Sequence, residues 1–91
     1  MSGTEKVLMK SEEKRSLADV ARFLRELADK IERNQLTLHQ GGEEIVLELT
    51  DPLTLELKLE EEDKGTRTKH QFEIELEWYP GEAEEGISLG S

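Results

Sequence analysis

Cysteine is absent from all 91 residues, so neither disulfides nor thiolate metal sites can support the fold. Proline occurs twice, at Pro52 and Pro80, and each marks a place where a strand must stop. No stretch approaches the roughly 20 apolar residues of a membrane span, and no charged-then-apolar signal segment opens the chain. The cytoplasm is therefore the expected compartment, with no membrane engagement. A chain this short makes one domain with a core close to the minimum that holds itself together. That domain is expected over residues 1–80, with a flexible acidic tail over 81–91. Regular secondary structure, oligomerisation, or both must compensate for the small core.

What the chain does have is charge, unevenly placed. The formal net charge is −10. Residues 1–35 carry eight basic and seven acidic side chains, whereas residues 36–91 carry four basic and fifteen acidic ones. A nearly neutral first part and a strongly negative second part favour basic partners and disfavour nucleic-acid backbones. The same imbalance also serves plain solubility.

The acidic part alternates apolar and polar residues with a period of two: Leu36/Leu38, Ile45/Leu47/Leu49, Leu53/Leu55/Leu57/Leu59 and Phe72/Ile74/Leu76/Trp78. Such a period means strands with one apolar and one polar face. The interleaved residues are Glu44, Glu48, Glu56, Lys58, Glu60, Glu73, Glu75 and Glu77, so the polar face is largely carboxylate. Gly41-Gly42 suits a two-residue hairpin turn, which sets Leu38 opposite Ile45, Leu36 opposite Leu47 and His39 opposite Glu44. A reversal at Thr50-Asp51-Pro52 would align Leu49 with Leu53 and Leu47 with Leu55. A last reversal falls within residues 62–68, around Lys64-Gly65, and Pro80-Gly81 ends the final strand.

Ahead of the strands, residues 16–33 read as a helix. Ser16 can cap its first turn, with Asp19 completing an arrangement like a capping box. Leu17, Val20, Ala21, Leu24, Leu27, Ala28 and Ile31 form one apolar stripe, bordered by Phe23. Arg22, Arg25, Lys30 and Arg33 are interleaved with acids three or four residues away, which neutralises the other side. Asn34 suits a left-handed terminator. Val7-Leu8-Met9 can form one short further strand. The expected class is α+β, in the order β-α-β-β-β-β: an antiparallel meander with the amphipathic helix packed on its apolar face.

Three segments in this order, SLADVARFLRELADKIE, LTLHQGGEEIVLEL and FEIELEWYP, resemble the amphi-Trp domain family across about residues 5–80. The resemblance implies a small archaeal or bacterial domain of unassigned biochemical role, without established catalytic residues. The one residue it carries over is Trp78, the signature aromatic.

Trp78 continues the inward alternation of Phe72, Ile74 and Leu76, so it is expected to close the core at the strand end. With Tyr79 and Pro80 it could also dock a partner. Glu73, Glu75 and Glu77 of the carboxylate face could meet a basic protein. Divalent cations need several convergent oxygens, and carboxylates along one flat strand stand parallel, so no metal site is assigned. His39 and His70 lack nearby nitrogen or sulfur co-ligands. Catalysis has no nucleophile–base pair to draw on. The sequence thus points to a non-enzymatic interaction or structural module without a cofactor, self-associating or bound to an unidentified protein. The alternative is a domain that responds to or buffers divalent cations through its acidic face.

Overall fold

A computed structural model describes residues 3–81, so all of the expected tail except Gly81 lies outside the described residues. The elements run in the order α1 (Leu17–Glu32), β1 (Thr37–Gln40), β2 (Glu43–Val46), β3 (Thr54–Asp63) and β4 (Thr68–Glu77). Among the described residues this is an α+β arrangement, in which four strands form two antiparallel two-stranded sheets, β1–β2 and β3–β4. It divides into two compact units, one ending at Leu47 and the other beginning at Glu48.

The first unit holds the helix and the short hairpin. Ser16 caps α1 from an extended conformation, its hydroxyl accepting from the Asp19 amide at 3.0 Å. At the other end Asn34 takes φ 52°, and the amides of Asn34 and Gln35 donate to the carbonyls of Ile31 and Lys30. That pair of bonds is a Schellman closure, which satisfies carbonyls the helix leaves open. Asp29 pairs with Arg33 at 3.4 Å, and Asp19 pairs with Arg22 at 3.2 Å. The hairpin has the expected register, Leu38 opposite Ile45 and His39 opposite Glu44. A bond from the Leu47 amide to the Leu36 carbonyl extends it by one step. Positive φ is needed at Gly41 alone, the requirement of a II′ turn.

The strand expected at Val7-Leu8-Met9 does not form, and Val7 and Leu8 are exposed. Three residues gain nothing from extension unless a ladder receives them, and β1–β2 remains two-stranded. The side-chain amide of Gln40 does bind the Lys10 carbonyl at 2.7 Å, so this segment is tied down without pairing.

In the second unit β3 and β4 pair over ten residues, from Thr54 opposite Glu77 to Asp63 opposite Thr68. The reversal falls where the Lys64-Gly65 signal places it. The Asp63 carboxylate accepts from the Gly65 amide at 2.9 Å, Gly65 takes φ 89°, and the Lys64 amide donates to the Arg67 carbonyl.

One expectation is overturned. Leu55 pairs with Leu76 on one side as a meander requires, but not with Leu47 on the other, and residues 47–53 are not strand. The Asp51–Pro52 corner, with its cis peptide, therefore ends one hairpin and leads into another instead of turning a continuous meander. Nor are the inward leucines buried. Only Leu36 and Leu49 reach the interior among the described residues, and no residue of α1 is buried. Alternation decides which side a residue takes, but burial needs a covering layer, and two strands cannot cover themselves.

Candidate functional site

The β3–β4 hairpin gathers the candidate residues, and its register decides their neighbours. On one face Leu55 stands opposite Leu76, Leu57 opposite Ile74, and Leu59 opposite Phe72. Residues directly opposite in an antiparallel pair share a face, so the six form one apolar ladder. Its exposure is high: Leu59 is 70% and Phe72 62% exposed, and Ile74, the least exposed of the ladder's large exposed members, is at 50%. Toward the turn the same face continues with Glu61 opposite His70, whose Nδ1 lies 3.7 Å from the carboxylate, an ion pair once the imidazole is protonated.

Beyond the other end of the ladder, two residues past Leu76, stands Trp78. Its indole N–H donates to the Glu48 carbonyl at 2.8 Å, and next to it the Thr50 hydroxyl donates to the Tyr79 carbonyl at 3.4 Å. The stretch entering β3 is thereby fastened to the stretch leaving β4. Leu49, between the two bonded residues in sequence, is 7% exposed, whereas the Tyr79 ring is open to solvent. Trp78 itself is half-buried, its apolar body packed and its one polar atom satisfied.

The opposite face carries the carboxylates. Glu56 stands opposite Glu75, Lys58 opposite Glu73, and Thr54 opposite Glu77. Lys58 binds Glu60 at 3.0 Å, and the Gln71 amide donates to Glu73 at 2.7 Å. The Glu60 carboxylate, through its hydrogen bond and charge and with help from Glu73, holds the Lys58 ammonium above its ordinary pKa. Glu75 is also pushed up, first by a hydrogen bond shared with Glu56, then by the charges of Glu56 and Glu77. One oxygen each from Glu56, Glu75 and Glu77 lie within 4.8 Å of one another. Carboxylates that stand parallel along one strand thus converge across two, which the one-strand argument did not foresee. All three are exposed, and three oxygens fall short of the six to eight that calcium takes. By itself such a trio is a patch of mutual repulsion.

Amphipathic hairpins and a tryptophan fastened at the strand end are now both in place. Residues 3–90 match the family model described as the Amphi-Trp domain. The chain belongs to that family. No curated protein and no solved structure matches it.

In this Amphi-Trp domain the sequence-expected residues separate into two groups. Trp78 and Tyr79 sit at the strand exit beside residues 48–50, while Glu73, Glu75 and Glu77 line the acidic face. Two features were not legible beforehand. The Glu48 carbonyl as partner of the indole left no signal, because a backbone acceptor is carried by every residue. The Glu61–His70 pair did leave one: both residues share the alternation of the apolar ladder, and fixing the loop at residues 64–67 sets them opposite each other.

Proposed function

We propose that this Amphi-Trp domain is a non-enzymatic interaction module that binds a protein partner through the apolar face of its β3–β4 hairpin. One observation carries the proposal: Leu55, Leu57, Leu59, Phe72 and Ile74 lie on one face and are each half or more exposed. Single exposed apolar residues are ordinary, but a contiguous set on a rigid ladder marks a surface made to be covered. A two-stranded hairpin is also only marginally stable until a further layer packs on it. Trp78 supports the face by fixing the entrance and exit of the two strands, and Tyr79 offers an exposed ring at its end.

Glu73, Glu75 and Glu77 form an outer surface suited to meeting basic side chains. A cysteine-free chain fits the reducing cytoplasm, which we take as its compartment. Among the described residues, no helix is long and apolar enough to cross a membrane.

Capture from a host extract by the immobilised full chain tests this reading, comparing wild type, Leu57→Glu and Glu75→Lys. A partner held by wild type and Glu75→Lys but lost with Leu57→Glu is the expected result. Equal recovery by all three, further copies of the chain included, would refute it.

A further inference from the structure

We infer that the occupant of the apolar ladder is a second copy of this chain, packed face to face through the same ladder. The inference rests on the interaction reading above and names its partner. The first argument is shape and symmetry. A two-fold axis brings the same patch of both copies together, and two such ladders aligned face to face make a four-stranded sandwich. Leu57 and Ile74, the middle of the three apolar pairs, would lie nearest that axis.

Area gives the second argument. A covered side chain of this kind hides on the order of 100 Å². Five of them give about 500 Å² per copy and about 1,000 Å² per pair, the lower bound of a specific interface. Leu76, more buried than these five, adds a smaller share.

Charge supplies the third argument. None of the six ladder residues is ionisable, so a basic partner would find its counter-charges on the opposite face, not here. Residues 54–77 hold eight acidic and four basic side chains, which repels an anionic lipid surface as well. Two hairpins repel each other too. However, their carboxylate faces point away from the contact, across sheets about 10 Å apart, and physiological salt screens beyond about 8 Å. Self-pairing therefore has a distinctive sign: added salt tightens it, whereas salt loosens attachment to a basic partner.

Sedimentation of the full chain over a concentration series, at low and at high salt, tests the pairing. The expected result is a monomer–dimer equilibrium that shifts toward dimer as salt rises. Leu57→Glu should weaken it on the order of a hundredfold, since each contact would bury an unpaired carboxylate. Circular dichroism of the same variant checks that it folds. A second measurement uses the absence of native cysteine: a short bis-maleimide should link copies of Ile74→Cys and leave copies of Glu75→Cys, on the outer face, unlinked. Equal linking of the two would overturn the geometry. Wild type that stays monomeric at submillimolar concentration in both salts would overturn the pairing itself. If that monomer still captured another protein in a Leu57-dependent way, self-pairing would fall while the interaction reading stood. A monomer in which Ile74→Cys resists thiol reagents would overturn both, by showing the ladder covered within one chain.

Discussion

Replacing Trp78 in two steps separates what its ring does from what its N–H does. Trp78→Phe keeps an aromatic body but removes the 2.8 Å bond to the Glu48 carbonyl. A hydrogen bond of this kind contributes about 0.5–1.5 kcal/mol net, and the abandoned carbonyl sits beside a half-buried ring, so about 1 kcal/mol is expected. Trp78→Ala removes the ring as well. A tryptophan buries 150–250 Å² when fully covered, so a half-buried one accounts for about 100 Å². At about 25 cal/mol per Å² this adds roughly 2.5 kcal/mol, for a total of about 3–4 kcal/mol. Urea unfolding followed by far-ultraviolet circular dichroism measures both, since each variant removes the sole fluorescent indole. In the wild type, the indole proton should exchange more slowly than a free indole with deuterated solvent, but ahead of the β4 amides. The reasoning is refuted if Phe equals Trp within about 0.3 kcal/mol while Ala costs under about 1 kcal/mol, small enough for an ordinary surface change.

Three further outcomes follow from the same structure. Ser16→Ala should destabilise α1 by about 1 kcal/mol, seen as reduced helical circular dichroism, because the Asp19 amide loses its acceptor. Gly65→Ala should cost about 1 kcal/mol in hairpin stability, since φ 89° is strained for any side chain, and proteolysis at residues 64–67 would report the opening. Glu75→Gln should stabilise the hairpin near neutral pH. The native-state pKa of Glu75 lies above its unfolded value, so the folded chain holds the proton more tightly. Its contribution therefore grows as pH falls from neutral through the folded pKa and levels off below the unfolded one. Denaturant midpoints across that window should rise on acidification in wild type, and this part of the rise should vanish in Glu75→Gln. An unchanged profile would contradict the shared proton with Glu56.

Local structure was legible because short-range chemistry decides it. Ser16, Asn34, Gly41-Gly42 and Lys64-Gly65 each satisfy a backbone demand that few residue types can meet, and each stands where that demand arises. The alternation assigned Leu55, Leu57 and Leu59 to one face and Glu56 and Glu60 to the other, as the ladder has them. Its limit appears at Leu47. A strand has two edges, so Leu47 was expected to face Leu36 on one side and Leu55 on the other; its amide does take Leu36, but the following carbonyl, of Glu48, goes to Trp78. The expected meander breaks there, with that carbonyl turned to the indole and no ladder joining β2 to β3. The covering of the apolar face was illegible for another reason: periodicity carries no information on what lies opposite. The candidate site was half legible, since Trp78 and the three glutamates stand out by residue type while the convergence with Glu56 needs the register of the partner strand.

The indole–carbonyl bond joins residues thirty apart in sequence, yet it encloses little free chain once the hairpin has zipped. Thr54 already lies against Glu77, so only residues 49–53 remain to be gathered, and closing so short a segment costs little entropy. The clasp can thus snap shut only after the strands meet at its doorstep, and it is the first latch to spring when they part. Light emitted by the single tryptophan therefore reports the closing of this clasp after the β3 and β4 strands have met.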